Sequence, residues 1–144
     1  MYEWVDRSYD DLEERPQLIL WSMRRWWLDT AANGCGCSRV GPVFQSVGMM
    51  AALPFFQIMM LSLRDTMVQP KRLGRESVSE QEAVILSLLS FPASRDPEAV
   101  AGRLSGLVAP AKKQRTARAI AGFAARFVPT GLSGWKPDEE SKIR

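Results

Sequence analysis

From Val43 to Leu63 the chain reads VFQSVGMMAALPFFQIMMLSL, with no charged residue and only Gln45, Ser46, Gln57 and Ser62 as polar side chains. A segment that is apolar nearly all round has no face to offer water, so the pattern predicts a helix buried at the centre of a fold. Pro42 suits its first position, Pro54 falls in its middle and frees the Met50 carbonyl, and Gly48 and Ala52 allow another helix to approach closely. The flanking segments are amphipathic instead. The first helix is predicted over 16–32, with Pro16 at its start, Ile19, Met23, Trp26 and Trp27 on one side and Ser22, Arg25 and Asp29 facing away, and Asn33-Gly34 as its stop. Ser79-Glu80-Gln81-Glu82 is a capping box and opens a third helix to about Ser90, whose inner face is Val84, Ile85, Leu88 and Leu89. Asp96 and Pro97 open a fourth, with Val100, Leu104, Leu107 and Val108 as its core and Pro110 as its end. A fifth runs from Ala111 to about Val128, with Ile120, Phe123, Ala124 and Phe127 gathered on one side and Lys112, Arg115, Arg118 and Arg126 on the other. No segment alternates with a period of two. The expectation is therefore an all-α, single-domain bundle of about five helices around a central helix at 43–63. An acidic arm at 1–15 precedes the domain at 16–128, and a flexible tail at 129–144 follows it.

Charge changes this picture by its placement. The net charge of +3 is small, but residues 1–15 carry six acids against Arg7 and Arg15, while residues 110–127 carry five bases and no acid. The simplest expectation is two solvated ends able to attract one another. The acids of Asp10-Asp11-Leu12-Glu13-Glu14 are placed to favour a helix N-terminus. The N-terminus lacks a basic stretch followed by an apolar one, so a secretion signal is not expected and the chain reads as intracellular and cytoplasmic. The 21 residues of the apolar stretch are long enough to span a bilayer, but its Met, Ala and Gly content, its two glutamines and Pro54 favour a buried core helix over a membrane span.

Candidate chemistry is sparse. The chain has no histidine, which removes the commonest general base and metal ligand. Cys35-Gly-Cys37 is the whole thiol inventory; two thiols are half of a soft-metal site at most, or a redox pair, and otherwise pack in a helix connection. Trp21, Trp26 and Trp27 share a helix with Arg24 and Arg25, and tryptophan and arginine dominate interface hot spots, so Trp26, Trp27, Arg24 and Arg25 form a candidate partner-binding patch beside the alternative of plain core packing. Lys112, Lys113, Arg115 and Arg118 form a cationic face suited to an anion, a nucleic acid or an acidic partner, the chain's own arm included. No phosphate loop, nucleophile elbow or dinucleotide fingerprint is present, and neither an enzymatic activity nor a cofactor is expected.

Three features together resemble small, uncharacterised helical proteins of alphaproteobacteria. They are the Met23-Arg24-Arg25-Trp26 step in the first helix, the Met/Leu-rich second helix ending near Leu61 to Asp65, and the Ser79 to Ala83 start of the third, over roughly residues 17–127. The resemblance implies an all-helical fold and no function, and Cys35-Gly-Cys37 is not part of it. The functional expectation is a non-catalytic helical module that binds another protein, its own copy included. The alternatives are a membrane-associated accessory subunit with 43–63 in the bilayer and a nucleic-acid-binding regulator using the helix 111–127.

Overall fold

A computed structural model describes residues 7, 12–32, 34–64 and 77–130 of the chain. Within them lie six α-helices: α1 (Glu14–Ala31), α2 (Val40–Ser46), α3 (Leu53–Leu63), α4 (Glu80–Ser90), α5 (Pro97–Leu104) and α6 (Pro110–Arg126). The fold is all-α, one domain. Residues 1–6 and 8–11 of the arm, the stop residue Asn33, residues 65–76 and the tail beyond Thr130 lie outside the described residues.

The predicted helix over 43–63 is not continuous. It divides into α2, a 3-10 turn at Met50–Ala52, and α3. The break is a Schellman motif: Gly48 sits at φ +72°, its N–H donates to the Gln45 carbonyl at 3.2 Å, and the Met49 N–H donates to the Phe44 carbonyl at 2.7 Å. Glycine enters that left-handed conformation without a Cβ penalty, and Phe44 and Met49 on either side of the stop are both buried. Pro54 then lies in the first turn of α3 rather than mid-helix, so it removes no helical hydrogen bond. Gln45, Ser46, Met50, Ala51 and Pro54 all reach solvent, which an all-round buried helix would not allow. Among the described residues no helix is long and apolar enough to cross a membrane.

The element buried on every side is α1. All residues from Leu18 to Trp26 are buried, including Ser22, Arg24 and Arg25, and so is Asp29. The expectation that Ser22, Arg25 and Asp29 face away is thereby corrected. Each has an internal partner: the Ser22 hydroxyl donates to the Leu18 carbonyl at 2.7 Å, and the Arg25 guanidinium meets the Asp29 carboxylate one turn on at 2.7 Å. Their polar groups are satisfied within the helix, so burial carries no desolvation orphan.

Helix α1 packs on α2 and α4, while α6 packs on α3, α4, α5 and the Met50–Ala52 turn. The apolar centre joining α2, α3 and α6 is aromatic. Phe44, Phe56 and Phe123 have ring centroids 5.4, 5.7 and 6.2 Å apart, and Phe127 stacks on Phe123 at 5.4 Å. Helix α6 reaches close to α3 because residue 122 is glycine: a Cβ there would enter the Phe55 ring. Two long-range backbone ties close the domain. The Thr130 N–H and hydroxyl both donate to the Val47 carbonyl, at 2.7 and 3.2 Å, and the Val78 N–H donates to the Arg7 carbonyl at 2.9 Å. The second tie joins the N-terminal segment to the start of α4.

The caps predicted for α4 and α5 are present. The Ser79 hydroxyl accepts from the Glu82 N–H at 3.2 Å and Glu82 Oε1 accepts from the Ser79 N–H at 2.9 Å, while Asp96 Oδ1 accepts from the Glu98 N–H at 3.1 Å. Between α5 and α6 the chain leaves the helix at Leu104 and turns through Gly106 at φ +85°. Pro110 therefore begins α6 instead of ending α5, and Leu107, expected in the core, is 50% exposed.

Candidate functional site

The residues expected to form a partner-binding patch are mostly committed inside the domain. Arg24 is 2% exposed; its Nε donates to Glu82 Oε2 at 2.8 Å and its Nη2 to Glu82 Oε1 at 3.0 Å and to the Ser77 carbonyl at 3.2 Å. This bidentate pair joins α1 to the capping box of α4, since one Glu82 carboxylate serves both. Arg25 is held by Asp29. Trp26 is 1% exposed, and its indole N–H donates to Gln57 Oε1 at 2.6 Å. Trp27 alone of the four is half-buried, edge-on to Trp26 with centroids 6.4 Å apart. Together with Thr30, Ala31 and Arg64, the two tryptophans border a hollow of about 280 Å³. The four residues do not form one outward patch, because consecutive positions point about 100° apart around a helix that is buried on all sides.

The two thiols differ in exposure. Cys35 is exposed, while Cys37 is half-buried and its Sγ–H donates to Gln57 Oε1 at 3.0 Å. Burial and the neighbouring Cys35 push the Cys37 thiol up to about 11, so at neutral pH it stays protonated, neither nucleophile nor ready ligand. Among the described residues no three His, Cys, Asp or Glu side chains gather as metal ligands would. Gln57, one of the two glutamines of the apolar stretch, is the shared acceptor that ties α1, the Gly34–Arg39 loop and α3 together. Gln45 is exposed.

The cationic face of α6 is where chemistry stays available. Arg115 and Arg118 are exposed, three residues apart, and neither is paired with an acid among the described residues. With Gln114, Ala111 and Ala119 they border a cleft of about 440 Å³ whose other wall is Phe55 and Ile58 of α3. Both α3 residues are half-buried, so the cleft has an apolar floor and a guanidinium rim. Further along α6, the Arg126 guanidinium lies 4.2 Å over the Phe55 ring and donates to the Gly122 carbonyl at 3.1 Å. Lys112 and Lys113 are half-buried on the preceding turn and do not line this cleft. Phe55 and Ile58 were not expected at a site: inside a uniformly apolar stretch nothing marks which residues reach the rim, although their spacing of three places them on one face of α3.

A second hollow, of about 80 Å³, lies where α4 meets the end of α5. Val84, Ile85, Leu88 and Leu104 line it, and the exposed Leu107 stands at its edge.

No protein family, curated protein or solved structure matches the chain.

Proposed function

We propose that this chain is a non-catalytic, cytoplasmic helical module that binds another protein, and that its partner seats in the cleft between α3 and α6. One observation carries the reading: Arg115 and Arg118 stand exposed, with no acid paired to either among the described residues, beside the apolar wall of Phe55 and Ile58. A surface that joins an apolar floor to an uncompensated charged rim suits a protein partner, whose apolar anchor is buried while its rim charges set orientation and on-rate. The test is recovery of the tagged full chain from its native cells. A stoichiometric partner retained by the wild type and lost by R115E/R118E, with unchanged circular dichroism, supports the module. Absence of a partner, or its equal retention by the variant, refutes it.

Self-association is the second element of the proposal. Leu107 is half exposed directly beside an apolar hollow, so one patch offers both a projecting side chain and a recess, as a two-fold self-interface needs. Light scattering decides this: a dimer dispersed by L107E supports it, and a wild type that is monomeric at every concentration ends it.

A further inference from the structure

We infer that the occupant of the α3–α6 cleft is an acidic amphipathic helix of the partner protein. This rests on the module reading above and narrows it to one ligand chemistry. Charge comes first. From Pro110 to Arg126 the helix carries Lys112, Lys113, Arg115, Arg118 and Arg126 and no acid, and among the described residues none that lines the cleft is acidic. Among the described residues, nothing in the cleft wall competes with an incoming carboxylate. Spacing comes second. Arg115 and Arg118 are neighbours at i and i+3, a separation of about 5–6 Å between Cβ atoms. Carboxylates at i and i+3 or i+4 of a second helix repeat that distance, so two ion pairs form along one shared direction. The floor comes third. Phe55 and Ile58 share the same spacing on α3 and present an apolar strip beside the two arginines, matching a helix whose apolar stripe lies next to its acidic one. Arg126 covers one face of the Phe55 ring, which holds the ring as a wall and removes that face from base stacking. An acidic helix therefore fits better than a nucleic acid strand.

The experiment selects binders from a displayed library of random 16-residue peptides on the folded full chain, with R115E/R118E as counter-target. Enriched sequences are expected to carry Glu or Asp pairs at three- or four-residue spacing beside leucine or phenylalanine. A synthesised binder, followed by fluorescence anisotropy, is expected to weaken about tenfold or more on R115E/R118E, to be retained on R115K/R118K and to be lost on I58E. Affinity falls as salt rises, because the pairs are exposed. Enriched peptides without acidic bias, or equal binding to R115E/R118E, overturn the inference. So does an oligonucleotide that binds the wild type and not R115E/R118E, and so does a wild-type oligomer that the same two reversals disperse, which would make a second copy the occupant. If a native partner depends on the two arginines while the peptides show no acidic bias, the module stands and this inference fails. If the wild type retains no native partner, the module itself fails.

Discussion

Replacing Glu82 by glutamine isolates the energetics of the join between α1 and α4. Glutamine keeps the volume and an oxygen for the Ser79 N–H, so the cap survives while the carboxylate charge is lost. The Arg24 guanidinium then stays where it is, with its side chain 1% exposed and no counter-charge on the residue that held it at 2.8 Å. Breaking a buried pair by removing one partner costs about 3–5 kcal/mol, because the remaining charge has lost both water and its counter-ion. Domains of this size hold about 5–15 kcal/mol in all, so E82Q is expected to remain folded but marginal. At about 3–4 °C per kcal/mol for a chain of this length, the Tm falls by about 9–20 °C. Removing both charges behaves differently. R24M/E82L exchanges the pair for apolar volume and gives up the cap bond, worth about 1 kcal/mol. It is expected within about 2 kcal/mol of the wild type and above E82Q. Urea denaturation of the wild type, E82Q and R24M/E82L measures this. A loss below about 1 kcal/mol in E82Q, or a double variant less stable than E82Q, refutes the reasoning.

Four further outcomes follow from the structure. Gln57→Leu strands the buried Trp26 N–H and the Cys37 thiol together, and is expected to destabilise by about 1–3 kcal/mol in urea denaturation with a shifted tryptophan emission. Gly48→Ala should cost more than Gly106→Ala: both glycines have positive φ, worth about 1–2 kcal/mol to an L-residue, but a Cβ at residue 48 also meets the Thr130 hydroxyl at 2.7 Å while residue 106 faces open space. Thermal melts of the two variants report the difference. Iodoacetamide at pH 8 should label the exposed Cys35 and spare Cys37 until the chain is unfolded, as peptide mass spectrometry would show. The sign of the linked stability follows from the raised thiol: below pH 9 both folded and unfolded chains hold the Cys37 proton, and between pH 9 and about 11 only the folded chain does, so stability falls across that window. A C37S variant should flatten that fall.

How far the sequence could be read depended on whether a signal was local. Capping is local chemistry, so Ser79 with Glu82, and Asp96 before Pro97, marked the starts of α4 and α5 where they occur. The basic side of α6 was visible for the same reason, and its Arg115 and Arg118 do border the cleft. Burial of charge is not local. Arg24 and Arg25 read as surface residues because arginine is seldom buried unless paired, and one partner lies 58 positions away. Uniform apolarity concealed more: without polar positions to break the 43–63 run, its period could not show that Gly48 ends one helix or that Phe55 and Ile58 reach the rim of a cleft. Pro16 marks the start of α1 two residues late: the helix opens at Glu14 and Pro16 is its third residue, because proline fits anywhere in a first turn whose N–H groups have no helical acceptor.

The shared carboxylate of Glu82 also has a consequence in time. A ribosome delivers Arg24 58 residues before Glu82, which at about 5–20 residues per second is an interval of about 3–12 s. Throughout that interval α1 carries a cation whose carboxylate partner in α4 has not yet been made. When Glu82 emerges, the same atoms that nucleate α4 neutralise Arg24, so the start of one helix licenses the burial of another. Nascent chains halted before residue 82 should hold α1 accessible to protease, and chains extended past α4 should protect it.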